Sequence, residues 1–126
     1  MTISEVSQKY NLTPDTLRYY ERIGLIANVP RSNSGIRNYD EKSCQRIEFI
    51  KCMRSAGVEL EALIEYMNLL DKGKSTVSAR KEILQEQKEK LLEKQKDINT
   101  TIERLTYKIK IYDEITSGKR KDFTEE

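Results

Sequence analysis

The sequence contains no histidine, two cysteines, two prolines and only five glycines in 126 residues. Without imidazole, and with so few thiols, a soft-metal site has no set of ligands. There is no glycine-rich phosphate loop, triad or metal pattern, and the scattered carboxylates fit solvated helix faces, so catalysis is not expected. No apolar run approaches the roughly 20 residues of a membrane span, and the N-terminus lacks the basic-then-apolar pattern of a secretory signal. These absences predict a cytoplasmic protein with no membrane partner and no cofactor. Cys44 and Cys52 stand eight residues apart in one helical stretch, about 12 Å along the axis. That is too far for a bridge, and a reducing compartment suits both as free thiols.

What the chain has is charge. Charged residues make up 35% of it against 37% hydrophobic, which suits exposed helical surface over a thin core that a partner chain completes. The length allows one modest domain and an extension. The net charge of +2 hides an uneven distribution. Residues 1–57 hold nine Lys/Arg against six Asp/Glu, and residues 58–71 hold four acids and no base. A basic head of this kind is an electrostatic footprint for nucleic acid.

Local signals divide the head into four helices and a turn-rich segment. Thr2 with Glu5 three residues on reads as a capping box, and Asn11 offers the stop. Thr13 as N-cap, Pro14 at the first helical position, Asp15 near the positive end and Gly24 as terminator mark a second helix of about ten residues. Two short helices joined this tightly form a helix-turn-helix, the second member suited to the major groove. Pro30, Ser32, Asn33, Ser34 and Gly35 then lie between Val29 and the pair Ile36 and Tyr39, which predicts a β-hairpin wing. Asp40 caps a third helix running to Ala56-Gly57, with Cys44, Ile47, Ile50 and Met53 on one stripe. A fourth, from about Glu59 to Leu70, carries Leu60, Leu63, Ile64, Met67 and Leu70 before the Lys72-Gly73 break.

From about Thr76 to Ser117 there is neither Gly nor Pro. Val77, Leu84, Leu91, Ile98, Leu105 and Tyr112 recur every seven residues. With these at d, the a series is Lys81, Lys88, Gln95, Ile102 and Ile109, a seam polar in its first half and apolar in its second. A helix of about 60 Å cannot bury such a stripe alone. The fold expected is mainly α: a winged helix-turn-helix head of four helices and a β-hairpin wing (1–71), one long coiled-coil dimerisation helix (72–117) and a flexible tail (118–126). Leu84, Leu91, Ile98, Ile102, Leu105, Ile109 and Tyr112 are the expected dimer contacts.

The run Thr13-Pro14-Asp15-Thr16-Leu17-Arg18-Tyr19-Tyr20-Glu21-Arg22-Ile23-Gly24-Leu25-Ile26 resembles the signature of the MerR family of bacterial transcription regulators. Arg31, Gly35, Arg37, Tyr39 and Asp40 follow in the matching order, and the resemblance reaches residue 115. It implies a homodimer joined by an antiparallel coiled coil, bound to a palindromic double-stranded promoter whose elements are spaced too far apart for RNA polymerase. Family members bend and untwist that DNA to realign the elements, so that deformation energy is the switch.

Thr13, Thr16, Arg18 and Tyr19 lie early on the second helix, within reach of groove edges and phosphates. The free amides at its start also favour a phosphate. The resemblance places Arg18, Tyr19 and Tyr20 mostly at the DNA backbone; Tyr20 reads equally as a core aromatic, and Arg22 as a solvated charge. Arg31 and Arg37 flank the turn and can point toward a phosphate or the minor groove, although an arginine beside a turn is often only solvated. Tyr39 is expected to pack the wing onto the head with its hydroxyl available to DNA.

Metal-sensing members carry a cysteine at the start of the long helix and a pair near its end; here Ser75-Thr76-Val77-Ser78 has no thiol and none follows Cys52. Drug-binding members append a ligand domain after the coil, and this chain stops about fourteen residues past Tyr112. The segment Glu48 to Gly57 resembles the non-metal subgroup that responds to aldehydes or other thiol-reactive electrophiles, which makes Cys52 the candidate sensor thiol. Cys52 is expected at the edge of the Ile47, Ile50, Met53 stripe, with Lys51 or Arg54 favouring its reactive thiolate form and an adduct pressing on the fourth helix. The plainer reading is a small core residue, and Cys44 reads as packing. Two alternatives stand beside this one: an effector-independent architectural regulator of the same fold, and a coiled-coil interaction module without DNA binding, which leaves the Thr-Pro cap and the Arg-Tyr-Tyr run unexplained.

Overall fold

The first three helices of the head each begin on a side chain that satisfies a free amide of the first turn. The computed structural model describes residues 1–26 and 28–122. Helix α1 (Ile3–Tyr10) opens on the full capping box: Glu5 N–H donates to Thr2 Oγ1 and Thr2 N–H to Glu5 Oε1, both at 3.1 Å. These bonds hold the Glu5 carboxyl below its ordinary range. Asn11 ends it in the left-handed region at φ 53°, where asparagine is tolerated. Helix α2 (Pro14–Arg22) starts from Thr13, whose Oγ1 accepts from Thr16 N–H at 3.1 Å, with Pro14 in the first turn. Gly24, at φ 86°, lets the chain leave it. Helix α3 (Glu41–Ser55) is capped by Asp40, which accepts from both Ser43 N–H and Ser43 Oγ at 2.8 Å, and these bonds lower the Asp40 pKa. Helix α4 (Leu60–Lys72) ends at Gly73, φ 89°.

The core of the head is small. Val6 of α1, Leu17 of α2, Leu25, Ile26 and Tyr39 of the connections, Ile47 and Ile50 of α3, and Met67 of α4 are each 2% exposed or less. Helix α1 packs on both α2 and α3, so α2 reaches the rest of the head largely through α1 and its own Leu17.

The expected β-hairpin wing is not there. No β-strand occurs among the described residues; Arg31 and Arg37 form one isolated antiparallel bridge. Inside it a tight turn closes through Ser32 N–H to Ile36 O at 2.7 Å and Gly35 N–H to Ser32 O at 2.9 Å. The ladder stops for a chemical reason. Asn38 N–H donates to Pro30 O at 2.7 Å, but proline has no N–H to return the bond, and Tyr39 N–H is taken by Met1 O at 2.8 Å. The segment is a bridged loop tied to the N-terminal residue.

After a 3-10 turn at Lys74–Thr76 that the sequence pattern did not signal, α5 runs unbroken over Val77–Thr116, 40 residues. Thr76 Oγ1 donates to Leu69 O at 2.7 Å, which ties the turn to the end of α4. By internal contacts the chain divides into Met1–Lys88 and Glu89–Glu126. In the second unit, Lys119 N–H donates to Glu114 O at 2.8 Å and Arg120 pairs with Glu114 at 3.2 Å, closing the helix end. The flexible tail expected over 118–126 falls outside the described residues from 123 on.

Leu17→Ala is expected to lower the unfolding free energy by about 2–5 kcal/mol, the usual cost of emptying a fully buried leucine site. Urea unfolding followed by circular dichroism measures it; a loss under about 1 kcal/mol would mean α2 is held by something else.

Candidate nucleic-acid interface

Helix α2 turns its polar residues outward. Arg18 and Tyr19 are exposed and Thr13 lies at the solvent-facing start of the helix, whereas Thr16 and Tyr20 are half-buried. Arg18 Nη1 pairs with Asp15 Oδ1 at 3.0 Å, one turn back, both side chains largely in solvent. Such a pair is worth little and yields readily to a stronger anion. The Arg22 guanidinium stands 5.4 Å over the Tyr19 ring, and the Tyr19 and Tyr20 rings are 6.2 Å apart at 45°. These contacts hold Tyr19 between a cation and a second aromatic.

The helix start offers fewer amides than the sequence suggests. Pro14 has no N–H, Thr16's donates to the Thr13 hydroxyl, and Leu17's to Thr13 O at 3.1 Å. Among the described residues the Asp15 N–H makes no hydrogen bond and is the open donor of that turn. The Thr13 and Thr16 hydroxyls are 2.8 Å apart and bonded to each other.

The bridged loop brings its arginines back to α2. Glu21 Oε1 accepts from Arg37 Nε at 2.8 Å and from Arg31 Nη2 at 3.3 Å, while Arg31 Nη1 donates to Gly35 O at 3.2 Å. Arg31 remains exposed and Arg37 is half-buried. Glu21 was not singled out from sequence; its position at the end of the Arg-Tyr-Tyr-Glu run was the one available signal. Tyr39 is 1% exposed, and its hydroxyl is buried, without a hydrogen-bond partner among the described residues and not open to solvent. Burial pushes its pKa up.

Cys52 is exposed, not at a half-buried stripe edge. It lines a groove of about 430 Å³ with Lys9 and Tyr10 of α1 and Glu48, Lys51 and Ser55 of α3. The wall facing it across that groove is α1, and no α4 residue lines the groove. Arg54 is engaged elsewhere, donating from Nη1 to Val58 O at 2.8 Å. Cys44 is half-buried, with its thiol 3.9 Å from Met1 Sδ. On α5, Leu84, Ile98, Ile102, Leu105, Ile109 and Tyr112 are 40–61% exposed, and Leu91 is half-buried. No helix among the described residues is long and apolar enough to cross a membrane.

Two capped helices joined by a three-residue link, with an arginine-bearing loop returned to the second, define a helix-turn-helix protein. The family model of the MerR HTH family regulatory proteins matches residues 1–70, and that of the MerR DNA-binding region matches residues 44–107. The chain belongs to the MerR family of DNA-binding transcriptional regulators. It is 56% identical over 93 residues to the HTH-type transcriptional regulator AdhR of Bacillus subtilis, a match covering 74% of this chain and 66%, just under two thirds, of that protein. It is 32% identical to the B. subtilis regulator YyaN, covering 88% of this chain and 89% of the relative. A crystal structure of a MerR family transcriptional regulator from Listeria monocytogenes superposes with a TM-score of 0.87 at 40% identity, covering 90% of this chain and 86% of that one. HiNmlR, a MerR family regulator lacking the sensor domain and solved bound to promoter DNA, shares the fold at a TM-score of 0.83 and 22% identity, covering 92% of each chain. The family and these relatives are regulators, in line with the absence of any expected catalytic role.

Arg18→Ala is expected to weaken binding to all duplexes alike and to flatten the plot of log K against log salt by about 1, the signature of one lost phosphate contact. Fluorescence anisotropy across a salt series reads both; an unchanged slope would remove Arg18 from the interface.

Proposed function

We propose that this protein is a homodimeric transcriptional regulator that grips a palindromic promoter with an overlong spacer, distorts it for RNA polymerase, and responds to aldehydes or other thiol-reactive electrophiles through Cys52. The observation that carries the reading is the exposed apolar stripe of α5, together with an α2 that turns Arg18 and Tyr19 outward.

Ile98, Ile102, Leu105, Ile109 and Tyr112 spread a seven-residue repeat along the second half of α5, and every one is at least half exposed in the single chain. Burying each aliphatic side chain in a second helix contributes about 1.5–3 kcal/mol. Two copies joined there carry two α2 helices, which suits a symmetric operator. Thr13, Thr16, Arg18, Tyr19, Tyr20, Arg31, Arg37 and Tyr39 form the proposed DNA-binding set, with Tyr39 acting by packing the loop, since its hydroxyl is buried. Phosphate contacts from Arg18, Arg31 and Arg37 fix the register on the duplex, and the energy of bending and untwisting sets the output.

The sensing step needs only an accessible thiol. The Cys52 sulfur adds to an aldehyde carbon: a C–S bond forms, the C–O π bond breaks, and the thiol proton passes to the oxygen to give a hemithioacetal. The added bulk lies in the groove walled by Lys9 and Tyr10. Helix α1 packs on α2, so pressure there reaches the DNA-reading helix directly. The 56% identity to AdhR supports assignment to the aldehyde-responsive subgroup.

Leu105→Asp combined with Ile109→Asp is expected to turn a dimer into a monomer in light scattering and to reduce a two-half-site footprint to none at the same concentration. A wild-type monomer at working concentration would defeat the dimer reading. In transcription in vitro, Cys52→Ser is expected to bind the promoter as the wild type does and to lose the response to added aldehyde. Full induction of the serine protein would eliminate the thiol mechanism.

A further inference from the structure

Two arginines of the bridged loop share one oxygen of one carboxylate. Glu21 Oε1 accepts Arg37 Nε at 2.8 Å and Arg31 Nη2 at 3.3 Å, and the Glu21 and Arg37 side chains are only 16% and 24% exposed. The bond to Nε matters for what is left over. A guanidinium is a planar fork of five donors. With Nε turned inward on Glu21, the two terminal nitrogens of Arg37 make no hydrogen bond among the described residues. Arg31 is fixed at both its terminal nitrogens, one on Glu21 and one on Gly35 O across the turn. The Tyr39 hydroxyl is buried and has no hydrogen-bond partner among the described residues. The charges of Arg37, Glu21, Arg18 and Arg31 all act on it, so the loop holds polar donors that remain unanswered in the free chain.

We propose that Glu21 is a positioning residue for DNA binding: its carboxylate sets the loop arginines, Arg37 above all, with their free donors toward the phosphate backbone, and does not itself touch DNA. This rests on the reading that Arg31 and Arg37 meet phosphates. The pair persists in the complex because stripping Arg37 from a carboxylate that is mostly buried leaves an uncompensated charge, which costs more than an exposed pair is worth. A rival role has the opposite sign. If Glu21 merely occupied the place of a phosphate and had to be displaced, its removal would strengthen binding.

The test is salt-dependent anisotropy of the full chain on a duplex of its own promoter region, with E21A, E21D, E21Q, R37A and the E21A/R37A double variant. E21A is expected to weaken binding about tenfold, the size of one charge-assisted hydrogen bond, and to flatten the salt slope by about 1. E21Q keeps an acceptor for Arg37 Nε and is expected to recover most of the affinity. E21D keeps the charge but falls one methylene short, and is expected to lose both affinity and slope, which covers the case in which E21A folds poorly. In the R37A background, E21A is expected to cost less than about threefold more, because the two act as a unit. Tighter or equal binding by E21A or E21D at unchanged slope overturns the proposal, as does a double variant whose losses multiply. A loss of active fraction at unchanged slope marks a purely structural role and also overturns it. If R37A alone leaves affinity and slope untouched, the underlying assignment of Arg37 to the DNA fails; if R37A loses both and the Glu21 variants lose neither, only the role of Glu21 fails.

Discussion

Helix α2 is nine residues long and buries one side chain fully, Leu17. A helix that short has no stability of its own in water. Its existence depends on the Thr13 cap at one end, the Gly24 exit at the other, and the leucine that anchors its middle into the head. This arrangement leaves Arg18, Tyr19 and Arg22 outside the core and fixed in angle. The loop arginines then attach to the same helix through Glu21, so both groups of basic side chains are referenced to one short element. Displacing α2 by a small amount moves the whole basic surface at once.

That dependence gives the Cys52 groove its interest. The groove that Cys52 lines has α1 as its other wall, and α1 is the helix on which α2 leans. Under the proposed sensing role, an adduct at this place would act one layer of packing away from α2, without any signal having to travel along α5.

The elements legible in the sequence were those written in local chemistry. Thr2 with Glu5, Thr13 with Pro14, Asp40 and Gly73 each act on backbone groups within four residues, so their meaning survives without knowledge of the fold. The long helix was legible because it lacks any breaker. The hairpin was misjudged because turn residues and β-formers were present, while the bonds that decide it belong to Pro30, which cannot donate, and to Met1, 38 residues from Tyr39. In the candidate site, the outward position of Arg18 and Tyr19 on α2 followed from motif and spacing. The clamp on Glu21 joins residues 10 and 16 positions apart, and the orphaned Tyr39 hydroxyl depends on what the loop covers. Cys52 was placed wrongly for a similar reason: a helical wheel knows the axis of α3 but not that α1, and not α4, stands beside that face.

The single bridge in the loop has a consequence for the behaviour of the protein in a crowded cell. A true hairpin would present an outer strand with a row of unanswered amides and carbonyls, the template on which misassembly by strand addition begins. By closing after one residue pair, with proline beside it and an arginine at each side of the bridge, the loop offers no run of backbone for another chain to zip onto.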